Sequence, residues 1–329
     1  MSELHLTDAG KFSGLGFVLA GREDRFSLLP VDDAAEWSRL LEQLPFPHLP
    51  QSHAYGMAKG AKNWMPKRVL IRDGGRAVAL ATVLERRVAG LRVLARVNRG
   101  PVFFAAMPQE RDVVGAYRAL RRGWRGPLSI ATALPKGEDS DRLLREAGLF
   151  RIRAAGWTSG RIDLRMDEEA LWRSFASGFR NRLRQSEKAG AEVRIARDGE
   201  SFEWMIARHL DNMKEKGFSA ADAVMLRTLR AANPEDVTVF QLLDGDRAVA
   251  GMSVVQFGKA AEYHVGWFGP DGRRLNAGNA LMWATIREMK RRGLDYFDVG
   301  GMRAGDGYTQ FKRTMRPREY SLAGEWGSF

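Results

Sequence analysis

Apolar and polar positions alternate along this chain in two distinct rhythms, and the switches between them outline its elements. From Asp32 the spacing is helical: Trp37, Leu40, Leu41 and Leu44 share one face, an Asp start supplies the N-cap, and Pro45, Pro47 and Pro50 end the stretch. A second helix is predicted from about Ser52 to Lys62. The rhythm then becomes β-rich. Lys67–Arg72 and Arg76–Arg86 flank Asp73-Gly74-Gly75, whose residues accept the positive φ of a tight hairpin turn. A strand over Leu91–Val97, a helix over Gln109–Arg122 stopped by Gly123, a strand over Leu128–Ala133 and a helix over Ser140–Ala147 complete the first half. Residues before about 25 show no clear periodicity and are expected to form an irregular arm.

The second half repeats this grammar. Val237–Leu243, a turn at Asp244-Gly245-Asp246 and Arg247–Phe257 again predict strand, turn, strand. Asp-Gly-x-Arg-Ala-Val-Ala occurs at Asp73 and again at Asp244, and Arg121-Arg-Gly-Trp has its counterpart in Arg291-Arg-Gly-Leu at almost the same offset. Between these anchors Asn98-Arg-Gly-Pro-Val-Phe parallels His264-Val-Gly-Trp-Phe-Gly. Ordered echoes at one offset imply a duplicated α/β module, each copy an antiparallel meander followed by a helix and a further strand. That order predicts an α/β (α+β) fold with mixed, mostly antiparallel sheets flanked by helices. Between the modules, Leu171–Gly190 reads as a strongly basic helix capped by Gly190, and Ser201–Lys216 as an amphipathic one. Near the C-terminus, a short strand (Tyr296, Phe297, Val299) breaks at Gly300-Gly301. It passes through Gly305-Asp306-Gly307 and ends in Tyr308, Phe311, Lys312, Arg313 and Arg316, predicting a glycine-rich loop tipped with cations.

Composition narrows the chemistry. The 329 residues contain no cysteine, which removes disulfides, thiolate metal sites and a Cys nucleophile. No apolar run is long enough to span a bilayer and no signal-like leader is visible, so a cytoplasmic protein is the expectation. The net charge of +12 favours polyanionic partners: nucleic acid, phosphorylated metabolites or, peripherally, an anionic membrane surface. The histidines His5, His48, His53, His209 and His264 show no ligand spacing, so no catalytic metal is expected.

Four stretches carry a resemblance. Leu49-Pro-Gln-Ser-His-Ala-Tyr-Gly-Met-Ala-Lys, Asn98-Arg-Gly-Pro-Val, the Arg-rich Arg180–Gly190, and Tyr263 through Asp298-Val-Gly-Gly to Phe311-Lys312 resemble the signature segments of the Fem (FemABX) family. These are aminoacyl-tRNA-dependent transferases built from two acetyltransferase-like (GNAT-like) subdomains. The resemblance spans about residues 45 to 320 and implies tandem GNAT-like subdomains. Their expected bounds are 1–155 and 156–317, with about 318–329 free to pack back onto the first. It implies aminoacyl-tRNA as co-substrate, no bound cofactor, and an amine acceptor that is peptide-, nucleotide- or lipid-linked. Two departures stand out. An acceptor-binding Arg of many members, three residues after the Phe of a Lys-Gly-Phe motif, is Ala221 here, after Lys216-Gly217-Phe218. The long coiled-coil arm of some members is missing.

Transfer from an already activated ester needs no protein nucleophile; it needs orientation and stabilisation of the tetrahedral oxyanion. Lys312 is the candidate cation, by its setting and by the resemblance, with Phe311 packed beside the reacting groups. Asp298 is a candidate to accept a proton or orient Lys312, or else simply forms the turn before Gly300. The resemblance makes Lys59 and Arg99 substrate-binding, and Tyr263 and Tyr308 are placed in the acceptor groove or the core beside it. Arg180, Arg182, Arg184 and Lys188 cluster on a helix as candidates for the tRNA backbone, with Arg180, Arg184 and Lys188 at i, i+4 spacing on one face. The competing reading is an acyl-CoA-dependent N-acyltransferase. Its pyrophosphate loop would be the degenerate Arg273-Arg-Leu-Asn-Ala-Gly278-Asn. A non-catalytic tRNA- or membrane-binding module ranks third, because it leaves the aromatic-cation loop without a role.

Overall fold

A computed structural model describes residues 25–329. The irregular arm expected before that point lies outside the described residues. Each half of the chain builds one sheet. The first contains β1 (Phe26–Pro30), β2 (Met65–Asp73), β3 (Arg76–Val88), β4 (Leu91–Asn98), β5 (Val102–Phe103), β6 (Leu128–Ala131) and β7 (Phe150–Arg153). The second contains β8 (Thr158–Asp163), β9 (Glu192–Ala196), β10 (Val237–Asp244), β11 (Arg247–Phe257), β12 (Ala260–Phe268), β13 (Tyr296–Asp298) and β14 (Arg318–Ser321). The last strand, β15 (Glu325–Ser328), returns to the first sheet.

The strand orders match position for position: β1-β2-β3-β4-β6-β15-β7 in one sheet and β9-β10-β11-β12-β13-β8-β14 in the other, with β5 added beside β3. Each contains one parallel pair, β4 with β6 and β12 with β13. The duplication read from the sequence echoes is therefore a duplication of topology, with one departure. The sixth position of each sheet is filled out of sequence order: β15, the last strand of the chain, enters the first sheet, and β8, which precedes β9, enters the second. The two crossing segments touch backbone to backbone. A Cβ on Gly156 would lie 2.2 Å from Leu322 O, and one on Gly324, at φ +89, 2.2 Å from Arg153 O. Only glycine fits there.

Among the described residues, eleven α-helices cover the sheets: α1 (Ala34–Glu42), α2 (His53–Gly60), α3 (Glu110–Gly123), α4 (Glu138–Glu146), α5 (Glu168–Ser174), α6 (Ser177–Lys188), α7 (Gly199–Lys216), α8 (Ala223–Ala232), α9 (Pro270–Arg274), α10 (Ala277–Arg291) and α11 (Gly307–Arg313). Their starts follow the expected capping chemistry. Asp33 accepts from Glu36 N at 2.6 Å and Ser52 from Tyr55 N at 3.1 Å. The basic stretch predicted as one helix is two, α5 and α6. Phe175, at ψ 151 and fully buried, turns the chain between them, and Ala176 N is tied to Thr314 O at 2.8 Å. None of the described helices is long and apolar enough to cross a membrane.

Three apolar clusters hold this arrangement. One lies between the first sheet and α3 and α4, and includes Tyr117, Leu120, Leu144 and Trp326 of β15. A second packs α10, α5 and α6 on the other sheet. The third is the seam between modules, joining Trp37, Leu49, Leu70, Leu80 and Val102 to Phe202, Met205, Leu226, Val239, Val255 and Val265. Trp37 anchors it, wholly buried, with its indole N–H donated to Gln51 O at 2.8 Å.

Candidate active site

The site forms where two neighbouring strands part. β12 and β13 run parallel from Ala260 opposite Tyr296 to Glu262 opposite Asp298, and no further. Beyond this the chain turns away: Val299 N bonds Gly160 O at 2.9 Å and Met302 N bonds Thr158 O at 2.8 Å. On β12 the register against β11 shifts at His264, so that Val254 faces Tyr263 while Ser253 faces Val265. Such a bulge re-aims side chains next to it. Gly300, at φ +75, brings the turn so close to β12 that a Cβ would sit 2.8 Å from Tyr263 O.

Over this gap lies α11. The sequence predicts a glycine-rich loop tipped with cations; the structure instead has a short helix from Gly307, and Lys312 on it is buried, only 3% exposed. The correction has a local cause. Asp306 caps the helix by accepting from Tyr308 N at 3.0 Å, so the Gly-Asp-Gly run starts a helix rather than extending a loop. The Lys312 Nζ donates to Gly301 O at 2.7 Å and lies 5.1 Å from the centroid of the Tyr263 ring. Burial pushes its pKa down to about 8, against the opposing pull of Asp298, Asp306 and Glu262. The amine is therefore mostly cationic at neutral pH and titrates just above it. Asp306→Ala is expected to cost the helix about 1 kcal/mol of cap energy and to loosen Lys312. A lowered melting temperature, together with faster amide exchange in 307–313, would register both.

Phe311 points toward α10. A Cβ on Gly278 would come within 3.1 Å of its ring, and Phe179 of α6 lies 6.2 Å away. Phe311 and Gly278 border a cleft of about 420 Å³ that Arg182, Lys216, Arg273 and Asn276 also line, with Tyr308 and Phe311 among its aromatic residues. Asn276 takes a left-handed conformation (φ 54) to start α10, whose first amide bonds come from Asn279 and Ala280 to Asn276 O. The N–H groups of Ala277 and Gly278, both at the cleft, precede that ladder. Burial raises the Tyr308 pKa to about 12 and that of Tyr263 well above its ordinary value, so both are neutral phenols.

Lys312, Phe311, Tyr263 and Tyr308 thus come together in space. Asp298 lies beneath them, with its carboxylate accepting from Gly300 N at 2.9 Å, from Tyr320 Oη at 2.6 Å and from Ser159 Oγ. Its contacts hold the Gly300 turn, and the next carbonyl, Gly301 O, accepts from Lys312 Nζ. Arg99 is placed differently from a free substrate ligand. Its guanidinium forks onto Glu262 of the other module at 2.7 and 3.1 Å and stacks 4.3 Å above Trp157. Burial works against its charge, and the Glu262 carboxylate more than offsets this, holding it above the usual arginine range. Lys59 stands apart at the end of α2, 5.3 Å over the Tyr55 ring, with its pKa lowered by partial burial and by Arg96.

On α6, the Arg180 guanidinium caps α5 by donating to Arg173 O (2.9 Å) and Phe175 O (2.7 Å), while Arg184 stacks 5.4 Å from the Trp172 ring and Lys188 is exposed. The α6 cation that lines the cleft is Arg182. Sequence spacing pointed to the 180/184/188 stripe, whereas Lys216 and Arg273, the other cleft cations, come from distant elements that no local pattern could bring together. Glu262 and Trp157 went unnoticed for the same reason.

Residues 173–313 match the family described as "Acetyltransferase (GNAT) domain". No curated protein is similar to the chain in sequence. Among solved structures, the crystal structure of FemX superposes with a TM-score of 0.76 at 15% identity, over 90% of this chain and 95% of that one. L-PGS from Bacillus licheniformis follows the fold at a TM-score of 0.53 and 14% identity, covering 90% of this chain and 91% of that one. A tandem GNAT protein from the clavulanic acid biosynthesis pathway does so at 0.50 and 13%, covering 92% and 97%. The chain has the tandem GNAT-like fold that FemX has, and its GNAT match falls on the module that carries Lys312.

Proposed function

We propose that this chain is a Fem-like aminoacyltransferase that moves an amino acid from the ester of a charged tRNA to an amine. The observation that carries the reading is the buried Lys312, fixed on Gly301 O over Tyr263 where β12 and β13 part. An ester carbonyl placed beside this ammonium would be attacked by the acceptor nitrogen. The oxyanion would develop against a fixed cation in a water-poor setting, and the C–O bond to the ribose would then break. The ribose oxygen leaves with a proton given by the cationic Lys312, which then takes back the one lost by the attacking amine, so the lysine ends as it began; a pKa of about 8 is matched to that exchange. Arg182, Lys216 and Arg273 in the cleft lining suit the phosphates of the tRNA end. The acceptor reading rests on Lys59 as a point charge for a phosphate or carboxylate of a peptidoglycan precursor or another peptide- or lipid-linked amine.

One observation favours acyl-CoA as donor instead. Ala277 and Gly278, whose N–H groups precede the α10 ladder, line the same cleft as Phe311, and the start of a helix is suited to a pyrophosphate. The two readings separate in one experiment. The protein is incubated with radiolabelled aminoacyl-tRNAs or with labelled acyl-CoAs, each with a metabolite extract. RNase-sensitive transfer of label is the expected result, and transfer from acyl-CoA alone would replace it with the second reading.

A further inference from the structure

A second cavity, of about 360 Å³, opens on the seam between the modules. Its lining includes Tyr320, whose hydroxyl donates to Asp298, and does not include Lys312. Part of its lining is apolar, made by Val102, Phe103 and Leu134 of the first module with Leu322 of the crossing segment. Another part is cationic, with Arg161, Arg165 and Arg318.

The three arginines are not equivalent. Arg165 is already forked onto Asp163 at 2.8 and 2.5 Å. Arg318 is exposed and has no ion-pair partner among the described residues. Arg161 is built in: its guanidinium is stacked on Phe46 at 5.0 Å and on Tyr320 at 4.4 Å. Its one hydrogen-bond partner is Nε2 of the buried His48, at 3.3 Å. The Asp298 carboxylate stays 3.9 Å from its Nε, outside hydrogen-bond range. Burial, then Arg161 and Arg99, hold His48 far below its ordinary pKa, so it is a neutral acceptor and neutralises nothing. A guanidinium has five N–H donors in one plane, and both faces of this one are covered while most of its edge is unmatched.

The charges call for an anion. Asp163 compensates Arg165, and Asp298 only partly compensates Arg161, leaving roughly one to two positive charges on Arg161 and Arg318. A planar carboxylate matches the unmatched edge of the guanidinium, and an apolar body fits the apolar part of the lining. We propose that this cavity binds a small amphipathic monocarboxylate, with its carboxylate on Arg161 and Arg318 and its hydrocarbon part against Val102, Phe103 and Leu134. The inference is independent of the aminoacyl-transfer reading, because it concerns a different cavity and a binding measurement.

The test uses 4-phenylbutyrate as probe, 4-phenylbutan-1-ol as its uncharged counterpart and inorganic phosphate as a competitor, followed by calorimetry on the full chain. The expected result is saturable binding of the acid, at least about tenfold weaker binding of the alcohol, and little competition by phosphate. Arg318→Gln should weaken the acid several-fold. Ala106→Trp, at an exposed position on the rim, should fill the cavity and abolish binding with an unchanged melting temperature. Equal binding of acid and alcohol, displacement by phosphate, no binding of the acid at millimolar concentration, or full binding by the folded Trp variant would each overturn the proposal.

Discussion

Lys312→Met is expected to lower the transfer rate about 10²- to 10³-fold, the usual loss when one fixed donor to a developing oxyanion is removed. The substitution is suited to the site because methionine keeps the length of the buried stem and deletes only the charge. Folding is expected to survive. The native pKa of about 8 lies below the ordinary lysine value, so the folded state resists holding this proton; Lys312 weakens the fold below pH 8 and ceases to do so as pH rises toward 10.5. Removing the charge therefore brings no electrostatic loss of stability at pH 7. The same shift predicts the pH profile. A catalytic cation is present below about 8 and lost above it, so wild-type turnover should fall through that point relative to Lys312→Arg, whose charge persists. Comparing the two proteins on one donor and acceptor pair cancels the acceptor's own titration. A relative rate that rises through pH 8 would make Lys312 a neutral base, and an unchanged rate in the Met variant would remove it from the reaction.

That lysine was visible in the sequence, but its setting was not. Paired hairpins around Asp73-Gly74 and Asp244-Gly245 were legible because turn chemistry and β-rich runs are local, and both form with the expected partners. The repeat was legible because the two copies keep their turn residues. The out-of-order strands were hidden: Thr158–Asp163 and Glu325–Ser328 are short, and nothing within them says that each pairs with strands more than a hundred residues away. The helix α11 was hidden behind its own glycines, since its signal is a single capping Asp306. Arg180 illustrates the limit of spacing arguments. It repeats at i, i+4 with Arg184, yet it folds back to cap the helix before it, and Arg182 takes the place at the cleft.

Arg99→Met is expected to destabilise the protein by about 3–5 kcal/mol, because it leaves the Glu262 carboxylate buried without its partner. Glu262→Gln should approach the same loss from the other side. The double Met variant should recover most of it, since an apolar pair of similar volume carries no stranded charge. Urea unfolding at pH 7, read by Trp fluorescence, measures all three, and a single-variant loss below about 1 kcal/mol would mean the pair behaves as an exposed one. The consequence reaches the reaction proposed here through contacts rather than distance. Gln51 accepts from Thr82 N at 2.7 Å and donates to Asn98 O at 2.6 Å, and a Cβ on Gly100 would lie 2.5 Å from its amide, so the Gln-Ser and Arg-Gly-Pro segments lock together and aim Arg99, at φ 49, across the seam. Arg99 in turn covers Trp157, and a Cβ on Gly301 would lie 3.0 Å from that indole. Gly301 is the residue whose carbonyl holds Lys312. The first module, which has no Phe-Lys pair of its own, would thus set the position of the one in the second. In a variant that stays folded, Arg99→Met should lower kcat more than it raises KM. A change in KM alone would return Arg99 to the substrate-binding role the sequence suggested.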